Sequence, residues 1–194
     1  MNMLRQVGFL LRITRSHDIV RRYFVVNGFD GALTMLGLIT GFLISAPTEL
    51  SVIISACLGA AIALGVSGVS SAYISEAAER RRSLAQLEDA MVTDLQQSAH
   101  GKATRWVPIL IALVNGLAPL LISLLILIPL WVANAGIVMP LPPLYVAIII
   151  ALTLIFLLGV FLGRIEGVSW LNSGIKTLLV ALVTAALIFM FVGD

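Results

Sequence analysis

Charge is what this sequence has least of. Only 11% of its 194 residues are Asp, Glu, Lys or Arg, against about 25% in an ordinary soluble domain. That deficit excludes a water-facing surface over most of the chain. A lone cysteine, Cys57, excludes an intrachain disulfide. Two histidines, His17 and His100, are too few for a histidine-rich zinc centre. Also missing are Gly-x-Gly-x-x-Gly, a Walker A sequence, Cys-x-x-Cys and His-Glu-x-x-His. No soluble-enzyme chemistry is legible, and the expectation is that the chain is not an enzyme. Nucleic-acid binding would use the basic residues but leave the apolar bulk unexplained, so no nucleic acid is expected as a partner.

That apolar bulk, 60% of the residues, falls into five runs at roughly 23–45, 51–75, 106–130, 144–163 and 171–192. Each can cross about 30 Å of hydrocarbon at about 1.5 Å of helix per residue. The pattern predicts an all-α integral membrane protein with five transmembrane helices. All twelve Lys and Arg residues fall on one side of that layout. Arg5, Arg12, Arg15, Arg21 and Arg22 precede span one; Arg80, Arg81, Arg82, Lys102 and Arg105 lie between spans two and three; Arg164 and Lys176 flank the turn between spans four and five. The positive-inside rule then predicts a cytoplasmic amino terminus in a multi-pass protein of the cell membrane. Anionic lipid headgroups are the natural partners of those bases.

Residues 1–22 read as an amphipathic interfacial helix, with Leu4, Val7, Leu10, Leu11 and Thr14 on one stripe and no cleavable signal peptide expected. Residues 23–75 form a transmembrane hairpin turning at Ala46-Pro47-Thr48-Glu49. Its small residues, Gly28, Gly31, Gly37 and Gly41 against Gly59, Gly65, Ser67, Gly68 and Ser71, predict close packing of span one on span two. Residues 76–105 form a cytoplasmic extension of the second helix and a linker. Strong helix formers run to Gln97, and Leu84, Leu87, Met91 and Leu95 make an apolar stripe for a partner helix or second subunit. Ser98-Ala99-His100-Gly101 reads as a helix stop. Residues 106–194 hold spans three to five. Asn115-Gly116 and Pro119 predict a poorly regular middle in span three, and Gly159, Gly163 and Gly174 a second close hairpin.

Asp30 lies about 10 Å of helix beyond Tyr23, inside the first span. An ionisable group at that depth must protonate, pair or face a polar cavity, and so marks an ion path. Asn27 and Thr34 share its helix face, while Ser67, Ser70, Ser71 and Asn115 could complete a polar cavity. Glu76 and Glu79 share a face at the mouth of span two, with Glu88, Asp89 and Asp94 farther out. Carboxylates so placed gather divalent cations. Ion pairing with Arg80 and Arg82 would explain the first two equally well, and a solvated helix face the rest.

The first span, Asn27-Gly28-Phe29-Asp30-Gly31-Ala32-Leu33-Thr34, resembles the Asp-Gly signature that opens the vacuolar iron transporter family. Gly65-Val66-Ser67 through Tyr73-Ile74-Ser75 and on to Glu79-Arg80 resembles the family's small-residue stretch and charged extension. Pro119, Ile128-Pro129, Phe156-Leu157-Leu158-Gly159, Ser173-Gly174 and Val192-Gly193 match in kind and order, so the likeness covers about residues 20–194. It implies a five-span homodimer that moves Fe²⁺ or Mn²⁺ out of the cytosol in exchange for protons, with no permanently bound cofactor. Asp30 matches the family's transport aspartate. The family's methionine after the serine matching Ser67 is Gly68 here, and the acid before the matching tyrosine is Ala72. A shortened cytoplasmic segment offers Glu88, Met91 and Asp94 in place of a larger metal-capturing module.

The resulting expectation is a divalent-cation and proton exchanger. Asp30 from each copy binds the ion; Ser67, Ser70, Ser71, Asn115, Asn27 and Thr34 line the path; Glu76, Glu79, Glu88 and Asp94 load it. One rival is carriage of another cation or a small polar solute, with Gly68 and Ala72 enlarging the central space. The other is a non-transporting membrane scaffold, whose Asp30 would be buried against a neighbour.

Overall fold

A computed structural model describes residues 16–45 and 49–192, and the side chains from Val20 onward. Residues 1–15 of the predicted interfacial helix and most of the first turn lie outside the described residues, while residues 16–22 of that segment begin the first long helix. Five helices follow in order: α1 Ser16–Ser45, α2 Leu50–Met91, α3 Ala99–Asn134, α4 Pro143–Glu166 and α5 Trp170–Val192. All five are long and apolar enough to cross a membrane, which makes the chain a multi-pass, all-helical membrane protein.

The core explains the order of packing. Met35, Leu36 and Ile39 of α1, Cys57 and Ala61 of α2, Ile126, Leu127 and Leu130 of α3, and Ala147, Ala151 and Ile155 of α4 form one buried cluster. α5 adds Ala181 and is otherwise the most exposed helix. A second, smaller cluster joins Ala103, Val107 and Ile111 of α3 to Val20 and Tyr23 of α1. The starts of α1 and α3 therefore lie at one end of the bundle, as do the end of α4 and the start of α5, where Gly163 meets Ser173 and Trp170. The described Lys and Arg residues gather at that end.

Several expectations need correction. α1 and α2 do not pack glycine to glycine. Both pack mainly on α3, and they touch each other far less. A Cβ on Gly31 would stand 2.7 Å from the Cα and carbonyl oxygen of Pro119, and one on Gly68 2.9 Å from the carbonyl oxygen of Asn115. Gly41 and Gly59, by contrast, have nothing near their missing side chains. The close approaches are to the middle of α3, which runs as one helix through Pro108, Pro119 and Pro129. The predicted irregular middle is continuous helix, with the α2 backbone packed closely against Asn115 and Gly116. With no N–H on Pro119, the Asn115 carbonyl lacks its usual helical donor, and the Gly68 backbone lies against it.

The extension of α2 ends at Met91, six residues short of Gln97, where Val92 adopts φ 51° and its N–H reaches the Glu88 carbonyl. Ser98 then starts a helix rather than stopping one. Its hydroxyl accepts from the His100 and Gly101 N–H groups, satisfying donors that the first turn of α3 leaves free. Gly101 is buried in that first turn because the Leu95 and Gln96 carbonyls pass too close for any Cβ. Leu84 and Leu87 of the α2 stripe lie with His100, Ala103 and Thr104, so the partner helix of the stripe is α3 of the same chain. The second close hairpin holds: Gly159 sits against Thr177, Gly163 against Ser173, and Gly174 against Phe156.

Candidate functional site

A polar relay crosses three helices inside the bundle. Asn27 on α1 donates to the Tyr23 carbonyl at 2.8 Å and to the side-chain oxygen of Asn115 on α3. Asn115 in turn donates through Nδ2 to the Gly68 carbonyl on α2 at 2.8 Å. Asn115 is 6% exposed, so these bonds replace water it cannot reach. The relay, Gly31 on Pro119 and Gly68 on Asn115 all fall within the 115–119 turn of α3. One turn thus fixes the positions of α1 and α2 together.

Asp30 stands beside this knot but not in it. Its side chain is exposed on the surface of the single chain and borders a small apolar cleft with Val26 and Phe29 of α1, Leu158 and Leu162 of α4 and Thr177 of α5. Thr34, one turn on, donates its hydroxyl to the Asp30 carbonyl at 2.8 Å, which leaves the hydroxyl oxygen free to accept. Ser67, Ser70 and Ser71 are likewise exposed on α2. Ser70 donates to the Val66 carbonyl at 2.8 Å and Ser71 to that of Gly68 at 3.4 Å. Such back-bonding spends the hydroxyl proton on the helix and turns the oxygen lone pairs outward.

The carboxylates do not converge. Among the described residues, no three Asp, Glu, His or Cys side chains form a metal-holding group within one chain. Glu76 pairs with Arg80 at 3.6 Å, one helical turn on, and Glu79 is exposed. Glu88 accepts the Leu95 N–H at 2.9 Å and Asp94 the Gln96 N–H at 2.8 Å, so both carboxylates brace the α2–α3 connection. Sequence reasoning missed the tether from Asn27 through Asn115 to Gly68. The signal lay in Asn27, Asn115 and Pro119, polar or helix-breaking residues inside apolar runs. The space attributed to Gly68 and Ala72 is closed, with Gly68 filled by the α3 backbone and Ala72 buried.

Comparison with known proteins gives one full-length relative. The uncharacterized protein MJ0645 of Methanocaldococcus jannaschii is 34% identical over 193 aligned positions, covering 93% of this chain and 97% of the relative. The chain belongs to the family of that archaeal protein. The alignment runs over most of both chains rather than over a fragment of either. No family model matches the chain, and no solved structure does.

Proposed function

We propose that the protein is a homodimeric secondary carrier of a divalent metal cation, Fe²⁺ or Mn²⁺, moved out of the cytosol against protons. The observation that carries this reading is the position of Asp30. It lies at membrane depth, yet on a face that the chain's own helices leave uncovered. A carboxylate facing lipid is costly, and among the described residues no cation of the same chain pairs with it. A second copy applied to this face would bring two Asp30 side chains together and supply the convergence that one chain lacks.

In that arrangement the two carboxylates hold the cation, and exposed serine oxygens of α2 with Thr34 of α1 complete a hard-oxygen set suited to Fe²⁺ or Mn²⁺. A site of few charges among neutral oxygens releases its ion as well as binding it. Protons replace the metal on the same carboxylates, which couples the two fluxes. The basic end of the bundle faces the cytoplasm by the positive-inside rule. Exposed Glu79 there can meet an arriving cation, while Glu76 is engaged with Arg80. The rival reading, carriage of another cation or a small polar solute, gains no support from Gly68, which packs against the α3 backbone. The scaffold reading expects Asp30 buried against a neighbour; within the single chain Asp30 is exposed.

Proteoliposome flux of wild type and Asp30→Asn is the test. Asn keeps the side-chain volume, so the variant should fold and stay dimeric. Metal-driven proton movement should fall at least tenfold, because Asn carries neither charge nor proton. Undiminished metal flux in the variant would sink this reading.

A further inference from the structure

Away from Asp30, a cavity of about 430 Å³ opens between the extension of α2 and the first turns of α3. We propose that it binds a phosphate-bearing anion. Arg81 of α2 and Arg105 of α3 line it from different helices, together with Tyr73 and Gln96. Among the described residues neither arginine has an ion-pair partner. Glu88 is the one acid in the wall, and one of its oxygens is already held by the Leu95 N–H. Thr104 spends its hydroxyl proton on the His100 carbonyl. The remaining wall is therefore rich in donors and net positive, which repels a metal cation and suits phosphate oxygens, for which arginine's fork is shaped.

The volume falls within the range of small-ligand sites, roughly 300–1,000 Å³, and exceeds what a bare anion fills. It leaves room for whatever the phosphate is esterified to. Position narrows the source. Tyr73 is the last aromatic of the second apolar run before the charges beginning at Glu76, and Trp106, next to Arg105, is exposed. The cavity thus lies where α2 leaves the apolar layer, the level at which basic pockets between membrane helices hold anionic headgroups. A soluble phosphate compound offers the same chemistry. This inference is independent of the transport reading and survives its failure.

Thermal unfolding of the purified protein in neutral detergent tests it. Phosphatidylglycerol, phosphatidylcholine and sodium phosphate would be added separately, with ionic strength matched by chloride. The wild type should gain about 5 °C from phosphatidylglycerol at saturation and nothing from phosphatidylcholine. The double variant Arg81→Gln/Arg105→Gln should lose the gain, and Arg82→Gln, an exposed arginine outside the cavity, should keep it. Both cavity arginines are exposed and without ion-pair partners, so the double variant should fold; Arg105→Lys, which keeps the charge but not the fork, should retain part of the gain. If sodium phosphate reproduces the full shift, the anion is a soluble phosphate rather than a headgroup, and the site stands. Equal shifts in wild type and double variant, or no shift from either phosphate source, would overturn the proposal.

Discussion

Asn115 of α3 and Gly68 of α2 hold each other twice. The Asn115 amide donates to the Gly68 carbonyl at 2.8 Å, and the Asn115 carbonyl lies where a Gly68 side chain would begin. The hydrogen bond requires the helices to be close, and the absent side chain allows it. Interhelical hydrogen bonds in membranes average about 0.6 kcal/mol and reach about 1.7 kcal/mol. Asn115→Ala removes two of them, to Gly68 and to Asn27, and should cost about 1–2 kcal/mol. Unfolding of the variant in mixed micelles gives the value directly, and a cost near zero would mean that the relay adds nothing to stability.

Gly31 and Gly41 form a matched pair on one helix. Alanine at 31 meets the Pro119 backbone, which cannot move aside, whereas alanine at 41 meets nothing. Overpacking of this kind costs about 1–3 kcal/mol, so Gly31→Ala should be destabilised by that order. Gly41→Ala should be neutral or gain up to about 1 kcal/mol in helix propensity. The melting temperature should therefore fall for Gly31→Ala and hold or rise for Gly41→Ala.

The proposed dimer can be probed with neighbouring valines. Val26 is 48% exposed on the face that carries Asp30, and Val25 is 3% exposed toward the core. In a Cys57→Ala background, Val26→Cys should crosslink between copies in lipid and Val25→Cys should not. Equal crosslinking at both positions, or none at either, would contradict an α1 interface.

Orientation is equally accessible. Arg82 and Lys102 are exposed at the basic end, and Val138 is exposed in the connection at the other. An impermeant thiol reagent added to intact cells should label Val138→Cys and leave Arg82→Cys and Lys102→Cys unlabelled until the membrane is opened. The reverse pattern would place the basic end outside.

The five spans were legible because hydropathy over a membrane's thickness is a strong local signal. That Asp30 falls within the first candidate span followed from counting residues. What the sequence could not say is which face of a helix its neighbours cover. Gly31 and Gly68 announce a close approach without naming the partner, so they were matched across the hairpin when the partner was α3. Ser98 and Gly101 carry residue types used at both ends of helices, and the deciding contact, the carbonyls of Leu95 and Gln96 over Gly101, is tertiary. Glu88 and Asp94 read in sequence as a solvated helix face or as ion-loading groups, because a backbone N–H that will claim a carboxylate leaves no mark there.

The docking of α1 and α2 on a common turn of α3 bears on how the chain is made. The first two spans enter the membrane before the third, yet they share little surface with each other. Until Asn115 and Pro119 arrive, the polar edge of Asn27 has no acceptor on a neighbouring helix and Gly31 and Gly68 have no backbone to receive them. In the folded protein α1 and α2 are therefore held to each other mainly through the helix that follows them in the chain.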